Sequence, residues 1–282
     1  MLTHSDFSYA SAEQSPAQRA LIRAVESFTG RPRLQRLYFE HRRNPRPDES
    51  FWSAAVRKLE LRLRHDEAAL RAIPASGPLV VVANHPFGVL DGIVIGYLVS
   101  QVRRDFRILT NSVLYRAEEI RPYLLPIDFS ETRAALKTNL TTRAEARRLV
   151  AGGGAVVAFP GGTVSTAPSL LGRAVDPVWK PFTAELIIRS RATVVPVFFE
   201  GQNSRLFQIA SQFSQTLRLS LIFKEVVRRI GSEVGVRIGP PLGFSELERL
   251  GDKTAMIDHL RSLTYRLGGI AQATPVVLPS ER

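Results

Sequence analysis

Three short stretches, Leu79–Ala83, Ala155–Phe159 and Thr193–Phe199, are almost wholly apolar and rich in valine. A strand with one wet face alternates apolar and polar residues, whereas a strand without alternation is covered on both faces. Segments of helical periodicity lie between and beyond them: Val89–Gln101, Thr132–Val150, Val178–Ser190, the long apolar and basic stretch Leu206–Ile230, and Asp252–Leu267. Further strands are expected at Phe106–Thr110, Leu124–Ile127 and Glu233–Ile238. Strands alternating with helices predict an α/β fold with a mostly parallel central sheet flanked by helices, over residues 76–282.

Residues 1–75 read as an N-terminal helical segment. Ser15 followed by Pro16 predicts a helix start, with the helix running to about Phe28. Arg31–Pro47 reads as a linker. Asp48 or Ser50 then caps a second helix to about Ile73. There Phe51, Trp52, Val56, Leu59 and Leu63 are interleaved with Arg57, Lys58, Arg62 and Arg64. This pattern suits either a core-packing helix or one lying on a membrane surface. Leu206–Ile230 has the same character, with Phe213, Leu217, Leu221 and Phe223 beside Arg218, Lys224, Arg228 and Arg229.

Composition removes several chemistries. The chain has no cysteine, which excludes a disulfide scaffold, a thiolate metal site and a thiol nucleophile. Its net charge of +12 favours an anionic partner: nucleic acid, an anionic membrane face or an acidic carrier. The uncharged run Leu149–Gly172 is long enough to cross a bilayer but is broken by glycine and proline, and Ala72–Leu90 holds three prolines, so no transmembrane helix is expected. Met1–Ser15 is polar and lacks a secretory signal pattern. There is no Gly-x-Ser-x-Gly elbow and no phosphate-binding P-loop. Gly152-Gly153-Gly154 precedes a strand where a dinucleotide fingerprint follows one. The five histidines show no zinc spacing.

His85 stands apart from the other four. It directly follows the strand Leu79–Ala83, in Ala83-Asn84-His85-Pro86-Phe87-Gly88-Val89-Leu90-Asp91-Gly92. In parallel α/β sheets ligands bind beyond the carboxyl ends of strands. A histidine there, with an aspartate shortly beyond, can form a base and its orienter. Pro86 and Gly88 would make the turn that folds Asp91 back. A core histidine beside a helix-capping Asp91 is the structural alternative. The second element, Phe159-Pro160-Gly161-Gly162-Thr163-Val164-Ser165, also follows a buried strand. Its glycines can bring backbone amides close to an oxyanion or phosphate, or simply make a turn.

These elements, with Val194-Val195-Pro196-Val197 after a further helix, together resemble the glycerolipid O-acyltransferases of the lysophosphatidate type, which carry a His-x4-Asp motif. The resemblance spans about Pro78–Leu242. Lys180, in Trp179-Lys180-Pro181-Phe182, is similar to a lysine the family carries between its third and fourth motifs, and Ile238-Gly239-Pro240-Pro241 resembles its closing strand and turn. Two departures point to a divergent hemolysin-like branch that includes acyltransferases of lyso-ornithine lipid. Five residues rather than four separate His85 from Asp91. Gly161 and Val164 stand where the common form has a Glu and an Arg that help hold a glycerol phosphate.

The resemblance implies acyl transfer from a thioester, on CoA or acyl carrier protein, to a lyso-lipid hydroxyl, with no cofactor, metal or covalent enzyme intermediate. His85 would be the base and Asp91 its orienter. Asn84, Gly161, Gly162, Thr163, Arg133 and Lys180 would bind substrate, with the amides around Gly161–Thr163 facing the oxyanion. The expected partners are the lyso-lipid, an anionic membrane surface and acyl carrier protein. The expected location is the cytoplasmic face of the cell membrane, as a peripheral protein. Two other readings stand beside it: a non-catalytic lipid-binding relative, and a basic nucleic-acid-binding protein. The latter lacks any recognised motif and has its charge spread along the chain.

Overall fold

A computed structural model of the protein describes residues 8, 15–111, 119–128, 132–169, 172–271 and 274–275. Most of Met1–Ser15, Phe129–Glu131 ahead of Arg133, and residues 170–171 of the uncharged run lie outside them. The described residues form a seven-stranded sheet. In chain order its strands are β1 (Arg62–Arg64), β2 (Leu79–Ala83), β3 (Phe106–Asn111), β4 (Leu124–Ile127), β5 (Ala155–Ala158), β6 (Thr193–Phe199) and β7 (Glu233–Ile238), arranged spatially as β1-β7-β6-β2-β5-β3-β4. All neighbours pair in parallel except β6 and β7.

The unbroken apolar strands are explained by two separate cores. Alternate residues of β2 point to opposite faces. Leu79, Val81 and Ala83 pack with Leu90, Val94, Ile95 and Leu98 of helix α5 (Val89–Ser100). Val80 and Val82 pack instead with α6 (Arg133–Ala151), α7 (Phe182–Ser190) and α12 (Lys253–Leu267). The central position of β2 matters for the site. Its register places Val82 beside Ala158 of β5, and Ala83 beside Val197 of β6. The carboxyl ends of three buried strands therefore emerge side by side.

Several expected boundaries move. Ser15 caps α1 (Pro16–Thr29), as its sequence suggests, with a reciprocal Gln18 contact. Arg31–Pro47 is largely not a linker: Arg31–Arg43 is helix α2, with Pro32 in its first turn. The helix expected from Ser50 to Ile73 breaks after α3 (Phe51–Lys58), where Glu60 adopts a positive φ of 52°. The chain then forms β1, and Asp66 caps the short α4 (Glu67–Arg71). Packing thus crosses residue 75, because β1 joins the main sheet and Trp52 the main core. Val178–Ser190 becomes helical only from Phe182, after Pro181. Leu206–Ile230 is three helices, α8 (Arg205–Phe213), α9 (Gln215–Ser220) and α10 (Ile222–Arg228). Ser214, in extended conformation, ends the first and caps the second. A five-residue α11 (Phe244–Glu248) follows β7.

Of the two readings open for this segment, a core-packing helix or one on a membrane surface, Trp52 takes the first. It is 3% exposed and lies against Phe106 and Tyr123. A Cβ at Gly96 of α5 would come within 2.5 Å of its ring. Arg64, on β1, bridges Glu200 at 2.6 Å and Glu233 at 2.8 Å. Among the described residues no helix is long and apolar enough to cross a membrane.

Candidate active site

The turn after β2 is built from two features of the sequence. Gly88 has a φ of 78°, which glycine adopts without strain. Asp91, in the first turn of α5, reaches back to accept the N–H of Phe87 at 2.8 Å and of Gly88 at 3.0 Å through Oδ2. A carboxylate at a helix N-terminus also meets the positive end of the helix dipole. The same Oδ2 lies 2.9 Å from His85 Nδ1. That is contact distance, although the ring N–H is not aligned for a well-formed hydrogen bond. Without substrate, such contacts in enzyme sites are often long or poorly aligned.

Asp91 is fully buried, and His85 keeps 18% of its side-chain surface open. Burial pushes the Asp91 carboxyl above its ordinary 3.8; His85 and the two amides pull the other way without cancelling it. The His85 ring stacks on Phe159, with centroids 4.2 Å apart. One imidazole nitrogen therefore faces a buried carboxylate, and the ring is held flat against an aromatic wall at a partly open position. This arrangement can take a proton from a hydroxyl at the free nitrogen while the carboxylate stabilises the resulting cation.

The second loop, after β5, closes over the first. The Ser165 N–H donates to the His85 carbonyl at 2.8 Å. Gly161 is buried, and a Cβ there would come 3.2 Å from Asp176 Cβ. Gly162, with φ of 72°, donates its own N–H to the Phe159 carbonyl at 2.9 Å. That amide is committed to the turn, so within Gly161–Thr163 an oxyanion would have to meet other donors. Thr163 Oγ1 accepts from Arg218 Nη2 at 2.6 Å, and the same nitrogen reaches the Val164 carbonyl.

The other expected binding residues are spread more widely. Asn84 is 3% exposed and clamps β2 to β6: its Nδ2 donates to the Phe199 carbonyl at 3.0 Å, and its Oδ1 accepts the Phe199 N–H at 2.7 Å. Lys180 has an exposed side chain, and its N–H donates to the Pro160 carbonyl at 2.9 Å. Arg133 is exposed in the first turn of α6, beyond β4, three strands away from β2.

Three residues outside the sequence-based set help to build the site. Arg218 is only 6% exposed and grips the second loop; it does not face headgroups. Arg229 stacks its guanidinium 3.7 Å from the Phe87 ring centroid and donates to the Gln202 carbonyl at 2.9 Å. Burial lowers its pKa, and the Asp91 charge is the largest effect opposing that. Asp176 is fully buried and accepts the His85 N–H at 3.1 Å and Trp179 Nε1–H at 2.9 Å. Its own N–H donates to the Tyr265 hydroxyl at 2.7 Å, and burial keeps that phenol protonated. Arg218 and Arg229 had no signal separating them from other basic residues on amphipathic helices. Asp176 had only its place directly before Pro177, three residues ahead of Trp179.

A histidine and aspartate stand together at the carboxyl end of a central parallel strand, beneath a glycine-bearing loop, an arrangement that can serve general-base chemistry on a hydroxyl. An acyltransferase family model matches residues 36–273, and the chain belongs to that acyltransferase family. It is 24% identical over 208 residues to a lyso-glycine lipid O-acyltransferase of Phocaeicola vulgatus, covering 70% of this chain and 71% of that protein. It is 22% identical over 205 residues to one of Bacteroides thetaiotaomicron, covering 69% and 72%. The crystal structure of the 1-acyl-sn-glycerophosphate acyltransferase PlsC from Thermotoga maritima shares the fold, with a TM-score of 0.51 at 14% identity, covering 94% of this chain and 86% of that one.

Proposed function

We propose that this acyltransferase moves a fatty acyl group from an acyl thioester to the hydroxyl of a lyso-lipid during membrane lipid synthesis. The observation that carries the mechanism is the His85–Asp91 pair, 2.9 Å apart with only the histidine open to solvent. His85 takes the hydroxyl proton at Nε2 as the oxygen attacks the thioester carbon. The tetrahedral intermediate collapses, the C–S bond breaks, and the thiolate recovers the proton from the imidazolium. The products are the acylated lipid and a free thiol on CoA or acyl carrier protein. Asp91 fixes the tautomer and balances the transient cation.

We read the acceptor as a lyso-lipid with an amino-acid headgroup, in preference to lysophosphatidate. The two curated relatives are named for lyso-glycine lipid. Gly161 and Val164 also leave the second loop without charge at two positions. Losing a charge-assisted phosphate contact costs about 1.5–3 kcal/mol, or roughly 10–100-fold in binding. Thr163 and the loop it shares with Arg218 would then contact the headgroup, with Lys180 and Arg133 at the periphery.

The enzyme would hold to the cytoplasmic face of the membrane peripherally. Leu206, Ile209 and Phe213 are 47%, 38% and 77% exposed and share one face of α8. Gln208, on the buried side of the same helix, accepts the Ala167 N–H at 2.8 Å, so α8 packs on the segment that follows the second loop with its apolar face turned outward. The charge of +12 adds attraction to an anionic leaflet.

The deciding assay measures thiol release and lipid product by mass spectrometry. Lyso-glycine lipid, lyso-ornithine lipid and lysophosphatidate are each offered with acyl-CoA and with acyl carrier protein. An amino-acid lyso-lipid emerging as best acceptor is expected. Lysophosphatidate as best acceptor overturns the headgroup assignment. No acceptor-dependent thiol release with any pair overturns acyl transfer in favour of a lipid-binding relative.

A further inference from the structure

Building on the acyl-transfer reading, we propose that Asp176 is a positioning residue for the reaction, setting where His85 stands. It lies 91 residues from the histidine in sequence and carries no motif. Its side chain nevertheless gathers the parts of the site. Oδ1 accepts the His85 main-chain N–H at 3.1 Å and also the Ser165 hydroxyl. Oδ2 accepts Trp179 Nε1–H at 2.9 Å. The backbone of Asp176 is itself anchored on α12, through the Tyr265 hydroxyl and through Arg261 Nη2, which donates to its carbonyl at 3.1 Å. Gly161 leaves room for it, since a Cβ there would stand 3.2 Å from Asp176 Cβ.

The position of the first contact explains why this is more than a fold contact. His85 is the last residue before Pro86, where the chain turns away from β2. Its side chain must meet Asp91 on one side and a substrate hydroxyl on the other. The Oδ1 contact and the Ser165 N–H on the His85 carbonyl hold both ends of this residue's backbone. Releasing the N–H end lets the imidazole swing with Asp91 still in place. A misplacement of about 1 Å at a reacting group can cost on the order of 100-fold in rate. Thr163 keeps its own anchor on Arg218, so the loss falls mainly on kcat.

The test is steady-state kinetics with an acyl thioester and the best acceptor, well below each variant's Tm. Asp176→Ala is expected to lower kcat about 10–100-fold, with KM for the acceptor within about twofold. Asp176→Asn keeps an oxygen for His85 and Ser165 and should retain kcat within about fivefold. A folded Asp176→Ala with kcat within twofold of wild type overturns the proposal. So does a loss confined to KM, or an asparagine variant as impaired as the alanine one. Should the alanine variant not fold, the double variant Asp176→Asn/Trp179→Phe decides. In Asp176→Asn the new amide N–H faces Trp179 Nε1–H, donor against donor. Removing the indole N–H relieves this and should raise kcat above that of Asp176→Asn alone; an equal or lower kcat overturns the proposal. His85→Ala runs beside them. If it stays active, the base assignment itself fails; if it is inactive while Asp176→Ala is active, only the role of Asp176 does.

Discussion

The two loops that meet at the site start alike and are held differently. Both follow buried central strands that pair with each other, Val82 beside Ala158, and both place an aromatic residue, a proline and a glycine near the turn. In the first loop the defining contacts are local: Asp91 caps Phe87 and Gly88, four and three residues back, and contacts His85. In the second the side-chain contacts are remote: Arg218 reaches Thr163 across 55 residues, and Asp176 meets Ser165 across 11. The first loop pairs its own histidine and carboxylate. The second is shaped by elements packed over it, and its Gly162 amide is spent on its own turn.

This difference orders the effects of mutation. Replacing the reacting group of the first loop should cost most. His85→Ala is expected to lower turnover by about 10²–10⁴-fold without unfolding the protein. A folded variant keeping more than about a tenth of wild-type turnover removes His85 as the base.

Asp91→Asn should come next and separates catalysis from stability. Burial raises the Asp91 pKa above 3.8, so the folded state binds this proton more tightly than the unfolded chain. Stability from this group is therefore present below its ordinary value and declines as pH rises through the folded value. Asp91→Asn should gain in Tm relative to wild type as pH rises from about 4 to neutrality, while turnover falls. In the wild type, the acid limb of kcat should sit above the ordinary carboxylate range, because the anion is needed to balance the imidazolium. A Tm difference independent of pH would contradict the assignment.

A break in the remote support of the second loop should cost less. Arg218→Met removes the hydrogen bonds to Thr163 and Val164 at a nearly buried position. Hydrogen bonds to charged groups contribute about 1.5–3 kcal/mol, so kcat/KM should fall by roughly 10–100-fold at most, together with Tm. An effect as large as that of His85→Ala would erase the distinction between the loops and make Arg218 a direct participant.

The smallest effect on the folded protein is expected from Leu206→Ser/Phe213→Ser on α8. Tm should stay within a few degrees, since both side chains are already exposed. Recovery with anionic vesicles in flotation should drop, while turnover of a water-soluble acceptor stays unchanged. Unchanged recovery would move the membrane contact to another surface. By contrast Trp52→Ser opens a cavity in the main core, costing on the order of 3–5 kcal/mol as for a large-to-small change, and should appear as lost Tm.

The sequence makes the first loop legible because the contacts of Asp91 with Phe87, Gly88 and His85 all span six residues or fewer; the backbone path from His85 to Asp91 leaves few conformations once Gly88 turns. The parallel sheet is legible for a similar reason. A run such as Leu79–Val80–Val81–Val82–Ala83 has no polar position to offer water, so both of its faces must be covered. Amphipathic segments are less informative. Phe51–Arg71 and Leu206–Ile230 share a pattern of apolar and basic residues, yet Trp52 is core and Phe213 is exposed. Periodicity shows that a helix has two faces; it does not show which face meets protein.

The sequence by itself thus determined the α/β sheet, the strand end that carries the candidate site, and the contact of the histidine with its local acid, because these follow from burial of apolar strands and from short-range geometry. Tertiary structure decided that Arg218, Arg229 and Asp176 converge on that strand end, that Trp52 belongs to the core, and that the second loop spends an amide on its own turn. Those outcomes depend on which of many chemically similar side chains the packing of distant helices brings within hydrogen-bond reach, and residue type and spacing carry no record of it.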